Sequence, residues 1–207
     1  MSPCPLPPAD PSLPHLGAAL DPAALADAVA RGWAPARSGE AAVVDVAPAW
    51  VRYKPGTSLI VRAVLRYRGA AGGGGAGDGG GVHSTWATVT LYGDGRDAVV
   101  SRPGGRLERL DERAAELHGA PAARTAHLAD LRAVLQLAPV DRKLPGLVET
   151  TAPGAMARLL AGAVGGGEVG GAVGSGAVEV VRHVPERKAV LRIDGGPDGG
   201  AAYAKLH

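Results

Sequence analysis

The chain has 207 residues, enough for one domain or two small ones with a hydrophobic core. Its 22 Lys and Arg stand against 20 Asp and Glu, a net charge of +2, and no Lys/Arg run is interleaved with aromatics, which argues against a nucleic-acid partner. One cysteine, Cys4, gives no disulfide framework or zinc motif; with no membrane-length apolar stretch and no secretion signal in the Pro-rich start, a cytoplasmic protein free of membrane contact is expected.

Residues 1–20 read as an irregular Pro-rich arm. Asp21-Pro22 opens a helix, with Asp as N-cap and Pro at the first helical position, and Leu25, Ala28 and Val29 give it an apolar stripe ending near Gly32. Residues 41–54 hold strand material interrupted by Pro48, with Trp50 as a core or interface anchor. After the turn at Lys54-Pro55-Gly56, Ser58–Tyr67 alternates as a strand: Leu59, Val61, Ala63, Leu65 and Tyr67 share one face, and Ile60, Arg62, Val64 and Arg66 the other.

The glycine-rich stretch at 70–81 is not a phosphate loop, because no Gly-Lys-Ser/Thr follows and a strand-like run, Val82–Tyr92, comes next. It reads as a hairpin loop. Residues 106–118 form an amphipathic helix whose Glu108, Arg109, Glu112 and Arg113 are expected to pair with one another at helical spacing. His127–Ala138 has helical content but could end as a strand, and His118 and His127 lack metal-ligand spacing. Asp141-Arg142-Lys143-Leu144-Pro145-Gly146-Leu147 reads as a loop without assignable chemistry, 153–164 as a short helix and 165–177 as a linker.

The last stretch, 178–207, reads as three strands: Val178–Val184, a run in which Ala189, Leu191 and Ile193 alternate with Val190, Arg192 and Asp194, and Ala201–His207 after a Gly/Pro turn. The third strand puts Tyr203, Lys205 and His207 on one face. This stretch also repeats an earlier one. Val51-Arg52-Tyr53-Lys54-Pro55-Gly56 through Arg62 matches Val181-Arg182-His183-Val184-Pro185-Glu186 through Arg192 without a gap and in the same pleat phase, so a duplicated hairpin is expected. Where the second copy carries Lys205, the first has Thr88 or Thr90.

VRYKPGTSLIVRAVLRY, DRKLPGL and VRHVPERKAVLRID…AYAKLH, in that order, resemble the amino-terminal half of the aminoglycoside phosphotransferase-like and choline kinase-like family. The resemblance implies an α+β fold of antiparallel sheets with flanking helices. By it, 1–40 are an arm and short helix, 41–164 an amino-terminal cap module, 165–177 a linker, and 178–207 the start of a kinase-like small lobe cut short after its third strand. It further implies that Lys205 binds nucleotide phosphates, with the turn of Pro185, Glu186, Arg187 and Lys188 above them. The cofactor would be ATP or GTP with magnesium in a complete protein, and the partner a small-molecule alcohol acceptor. Residue 183 is His where the family usually has Tyr. The family's catalytic Asp lies in an H-x-D-x-x-x-x-N loop, and this sequence has no asparagine, so the 207 residues alone are expected to be inactive, with no catalytic or metal-ligating residue; a non-catalytic α+β binding module is the alternative reading.

Overall fold

Three long strand runs build the first of two units in the computed structural model, which describes residues 9–69, 81–119, 121, 123–155, 178–194 and 201–207. The units are Met1–Arg109 with Ala123–Ala138, and Leu110–Ala122 with Pro139–His207. Each combines an antiparallel sheet with short helices, an α+β fold.

In the first unit, β1 (Ala41–Lys54), β2 (Ser58–Gly69) and β3 (Val82–Tyr92) form a meander. A hairpin of β4 (Thr125–Leu128) and β5 (Ala133–Leu137) extends it in the order β1-β2-β3-β5-β4. Leu59, Val61, Ala63 and Leu65 of β2 share one core with Ala87, Val89 and Leu91 of β3 and Leu135 of β5. The helices α1 (Leu16–Leu20) and α2 (Pro22–Gly32) contribute Leu16, Ala19, Leu25 and Val29 to that core, and Ala36 of α3 (Ala34–Arg37) packs against it. Asp21 caps α2 as expected, accepting from the amides of Ala23 and Ala24 at 2.8 and 2.9 Å. Trp33 is fully buried, meets Tyr67 edge-on, and donates its indole N–H to the Ala123 carbonyl at 2.7 Å.

Several expectations change. The arm is not irregular from residue 10 onward, because Leu13, Leu16 and Ala19 are buried in the core and α1 forms there. Pro48 does not interrupt β1: it sits beside a register shift on an edge strand, where a missing N–H is tolerated. The run from His127, open between helix and strand in sequence, is the end of β4, a short 3-10 turn and β5. All five residues of β5 are buried, Gln136 among them, so both faces are covered and the burial shows no alternation to read.

The helix α5 (Arg106–His118) has the predicted bounds and begins in the first unit and ends in the second. Its charged pairs differ from expectation. Glu108 and Arg109 bond to the backbone of Gly104. Arg113 takes Glu116 and, through two nitrogens at 2.8 and 3.2 Å, Glu149 of α6 (Gly146–Thr150).

The second unit holds a three-stranded antiparallel sheet of β6 (Val178–Val184), β7 (Lys188–Asp194) and β8 (Ala201–Leu206). Ala189 and Leu191 pack with Leu144 and Leu147, and Val178, Val180, Ala204 and Leu206 lie around them. The glycine-rich stretch at 70–80, the helix expected beyond Ala155, the linker at 165–177 and the turn at 195–200 lie outside the described residues. Among the described residues, no helix is long and apolar enough to cross a membrane.

Candidate functional site

The two hairpins predicted to be copies have the same register around their turns. In the first, Lys54 faces Ser58, Tyr53 faces Leu59 and Arg52 faces Ile60; in the second, Val184 faces Lys188, His183 faces Ala189 and Arg182 faces Val190. Beyond those pairs the second copy shifts register between Val180 and Arg182, whereas the first continues to Val51 and shifts beyond Trp50. The third strands align as well. Ile60 faces Thr90 and Val190 faces Lys205, so the residue in the place of Lys205 is Thr90 rather than Thr88.

The likeness reaches a contact the sequence reading missed. In the second unit the buried carboxylate of Asp141 accepts from His183 Nε2 at 2.8 Å and from the Glu186 amide at 2.9 Å through one oxygen. Its other oxygen takes the amides of Lys143 at 2.9 Å and Leu144 at 3.3 Å. In the first unit Asp10 accepts from the Tyr53 hydroxyl and the Gly56 amide, both at 2.8 Å, through one oxygen and from the Ser12 amide at 2.9 Å through the other. Each aspartate thus clasps the turn of its own hairpin. The signal was present in sequence: Asp10-Pro-Ser-Leu13-Pro14-His-Leu16 and Asp141-Arg-Lys-Leu144-Pro145-Gly-Leu147 share the pattern D-x-x-L-P-x-L. Leu13 and Leu16 are buried in the first unit, as Leu144 and Leu147 are in the second. The segment DRKLPGL, expected to be a loop without assignable chemistry, is therefore the holder of the second turn.

Both clasps hold their acid in the charged form. Burial opposes ionisation of Asp141, but the His183 ring and the amides of Glu186 and Lys143 outweigh it and keep the carboxyl below its ordinary value. For Asp10 the Gly56 amide acts first and the Tyr53 hydroxyl second, again lowering it. That hydroxyl in turn is pushed up by its bond to Asp10.

The expected site residues divide into two groups. Pro185 is buried and Glu186 turns inward. The Glu186 carboxylate is 5% exposed and contacts Arg142 at 2.9 Å and Lys143 at 3.1 Å. Its backbone is left-handed at φ 59°, where the first copy has Gly56 at 65°. A side chain there is strained by about 1 kcal/mol or more. Arg187 is exposed at the tip, its amide closing the turn onto the Val184 carbonyl at 3.1 Å.

Lys188 and Lys205 lie on the other sheet face, away from Leu144 and Leu147. Lys188 shares that face of β7 with Val190 and Arg192, and Lys205 stands opposite Val190 and is exposed. Arg192 is matched on this face by Asp194 at 3.0 Å and Glu179 at 4.0 Å. The face carries cations suited to phosphate oxygens, with Val190 between them as an apolar floor.

The equivalent face of the first copy is closed at the same place. Ile60 and Thr90 are each 1% exposed. The short helix α4 (Arg96–Val100) packs on β3 and β5, and its buried Asp97 meets His127 Nε2 at 2.7 Å. Among the described residues, no group of three His, Cys, Asp or Glu side chains is arranged to hold a metal ion. Compared with known proteins, the chain matches no family model, no curated protein and no solved structure.

Proposed function

We propose that the second unit is the nucleotide-phosphate side of a kinase-like phosphotransferase, one that passes a phosphoryl group from ATP or GTP to a small-molecule hydroxyl. The observation that carries this reading is the contrast between the copies. On one scaffold, the central position of the third strand is a buried threonine, Thr90, in the first unit and an exposed lysine, Lys205, on an open face in the second. The resemblance of 178–207 to the aminoglycoside phosphotransferase-like and choline kinase-like family supports the same assignment.

In this reading Lys205 pairs with phosphate oxygens, Lys188 and Arg187 add positive charge from the turn, and Val190 supports the nucleotide. Pro185 and Glu186 shape the turn rather than touch the ligand. The first unit keeps the scaffold without the cation. In this reading the catalytic base and the carboxylates for magnesium would belong to a catalytic lobe, and the sequence has no asparagine to complete an H-x-D-x-x-x-x-N loop.

The test is phosphoryl transfer from labelled ATP to alcohol acceptors, with the chain alone and with a catalytic lobe joined after His207. The chain alone should give no turnover above background. In the completed protein Lys205→Ala should lower turnover on the order of a hundredfold or more, and Lys54→Ala should leave it nearly unchanged. Equal losses at both lysines, or none at Lys205, would put the nucleotide elsewhere.

A further inference from the structure

We infer that the outer face of β1–β3 in the first unit is a docking surface for an acidic linear segment of a partner protein, a role separate from the phosphotransfer reading. The strand registers assemble this face from residues far apart in sequence. Trp50 lies opposite Arg62, Val64 opposite Trp86, Arg66 opposite Asp45 and Ser84, and Arg68 opposite Ala42 and Val82. The Arg62 guanidinium lies 3.7 Å from the centre of the Trp86 ring, a cation–π stack. Trp50 is 38% exposed and Trp86 39%, although the third tryptophan, Trp33, is fully buried. Core packing therefore does not account for either exposed indole.

The charge on this face is one-sided. The strands β1, β2 and β3 carry Arg52, Arg62, Arg66, Arg68 and Lys54 against a single acid, Asp45, which is tied to Arg66 at 2.9 Å. Exposed tryptophan and arginine with hardly any Glu or Lys is the composition of a binding hot spot. A second copy of the chain is a poor occupant, because this face against itself would set arginine against arginine. A phosphodiester chain brings an anion at every unit and no aliphatic side chain, and so does not match the aliphatic Val64 and Val82 of this face. An extended segment with alternating acidic and aliphatic residues meets both requirements, placing carboxylates on the arginine forks and apolar side chains on the indoles and Val82. From strand spacing, the part of the face between Ala42–Trp50 and Val82–Trp86 is roughly 300–350 Å² in projection, about the footprint of a short peptide and well below a stable domain interface.

The test uses a fluorescein-labelled, Trp-free peptide alternating Glu and Leu, titrated against the whole chain by anisotropy. Peptides alternating Lys and Leu or Glu and Ser, and an eight-residue oligouridine, serve as comparators. The Glu–Leu peptide should bind saturably, more weakly as salt rises, and better than all three comparators. Trp50→Ser and Arg68→Glu, both at exposed positions, should each weaken it at least tenfold, with the emission of buried Trp33 reporting an intact fold. Iodide should quench Trp50 and Trp86 in the free protein and not in the complex. The inference is overturned if the Glu–Leu peptide fails to bind or binds the Trp50→Ser variant equally well. It is also overturned if oligouridine binds more tightly, which would make this a nucleic-acid surface, or if both indoles resist iodide in the free protein, which would mean the chain covers the face itself.

Discussion

Replacing Asp141 tests whether the clasp, rather than strand pairing alone, holds the turn beneath Arg187 and Lys188. Asp141→Ala removes the acceptor of four hydrogen bonds at a carboxylate only 3% exposed. Of the donors left behind, the His183 ring is 9% exposed and cannot recover its bond from solvent, whereas the Lys143 and Glu186 amides partly can. One buried donor stranded at about 1–3 kcal/mol, plus the lost charge-assisted bonds, gives a cost of about 3–5 kcal/mol. That is a large fraction of the roughly 5–15 kcal/mol that holds a domain folded.

The readout is hydrogen exchange of peptides spanning 182–192, because all three tryptophans lie in the first unit and do not report on this sheet. At 1.36 kcal/mol per tenfold, exchange should accelerate by roughly 100- to 5,000-fold. The pH dependence has a definite sign. Since the folded carboxyl lies below its ordinary value, its contribution is complete above about pH 4 and disappears as pH falls through the lowered folded value, so wild type and Asp141→Ala should converge in acid. Unchanged protection of 182–192 at neutral pH in Asp141→Ala would refute the reasoning.

Three further outcomes follow from the comparison of the copies. Glu186→Gly should be more stable than Glu186→Ala by about 1 kcal/mol in urea unfolding, because both lose the carboxylate and only alanine keeps a side chain in the left-handed region. His183→Tyr, which installs the group the first clasp uses, should retain protection of 182–192 in hydrogen exchange, whereas His183→Ala should not. Thr90→Lys should destabilise the first unit by several kcal/mol, since it buries an ammonium where 1% of the residue is exposed, and Lys205→Thr should change stability by less than about 0.5 kcal/mol; urea melts followed by Trp33 emission for the first and by hydrogen exchange for the second distinguish them.

The hairpins, the capped helix at Pro22 and the bounds of α5 were legible because each is specified locally, by alternation or by a cap beside its helix. What stayed hidden depends on contacts across long stretches of chain. Asp10 meets a hairpin turn at Gly56, and Asp141 one at Glu186, and nothing in either local window marks a carboxylate as a turn holder. The repeated D-x-x-L-P-x-L pattern was the available signal, but it separates from the hairpin repeat and lies in segments that read as an arm and a loop. The strand β5 was hidden for another reason, since burial on both faces erases the alternation that identifies a strand. The aromatic–arginine face escaped because its interleaving runs across strands, not along them.

The differences between the two clasps are coordinated. In the first, Asp10 is followed by Pro11 and Ser12, neither of which is charged, and the left-handed turn position is Gly56, the residue that adopts it without strain. In the second, Asp141 is followed by Arg142 and Lys143, and the same position is Glu186, whose inward carboxylate meets both cations. Glycine there would relieve the backbone but remove the carboxylate that Arg142 and Lys143 both contact. The strain at Glu186 is thus the consequence of placing two cations behind the turn. It also leaves Arg187 and Lys188 outside that neutralised cluster, directed away from it at the turn tip and on the open face. The first copy, with no charge behind its turn, uses glycine there. The second copy keeps its turn closed by charge and leaves two cations at its edge, the cations that the proposed phosphate site would use.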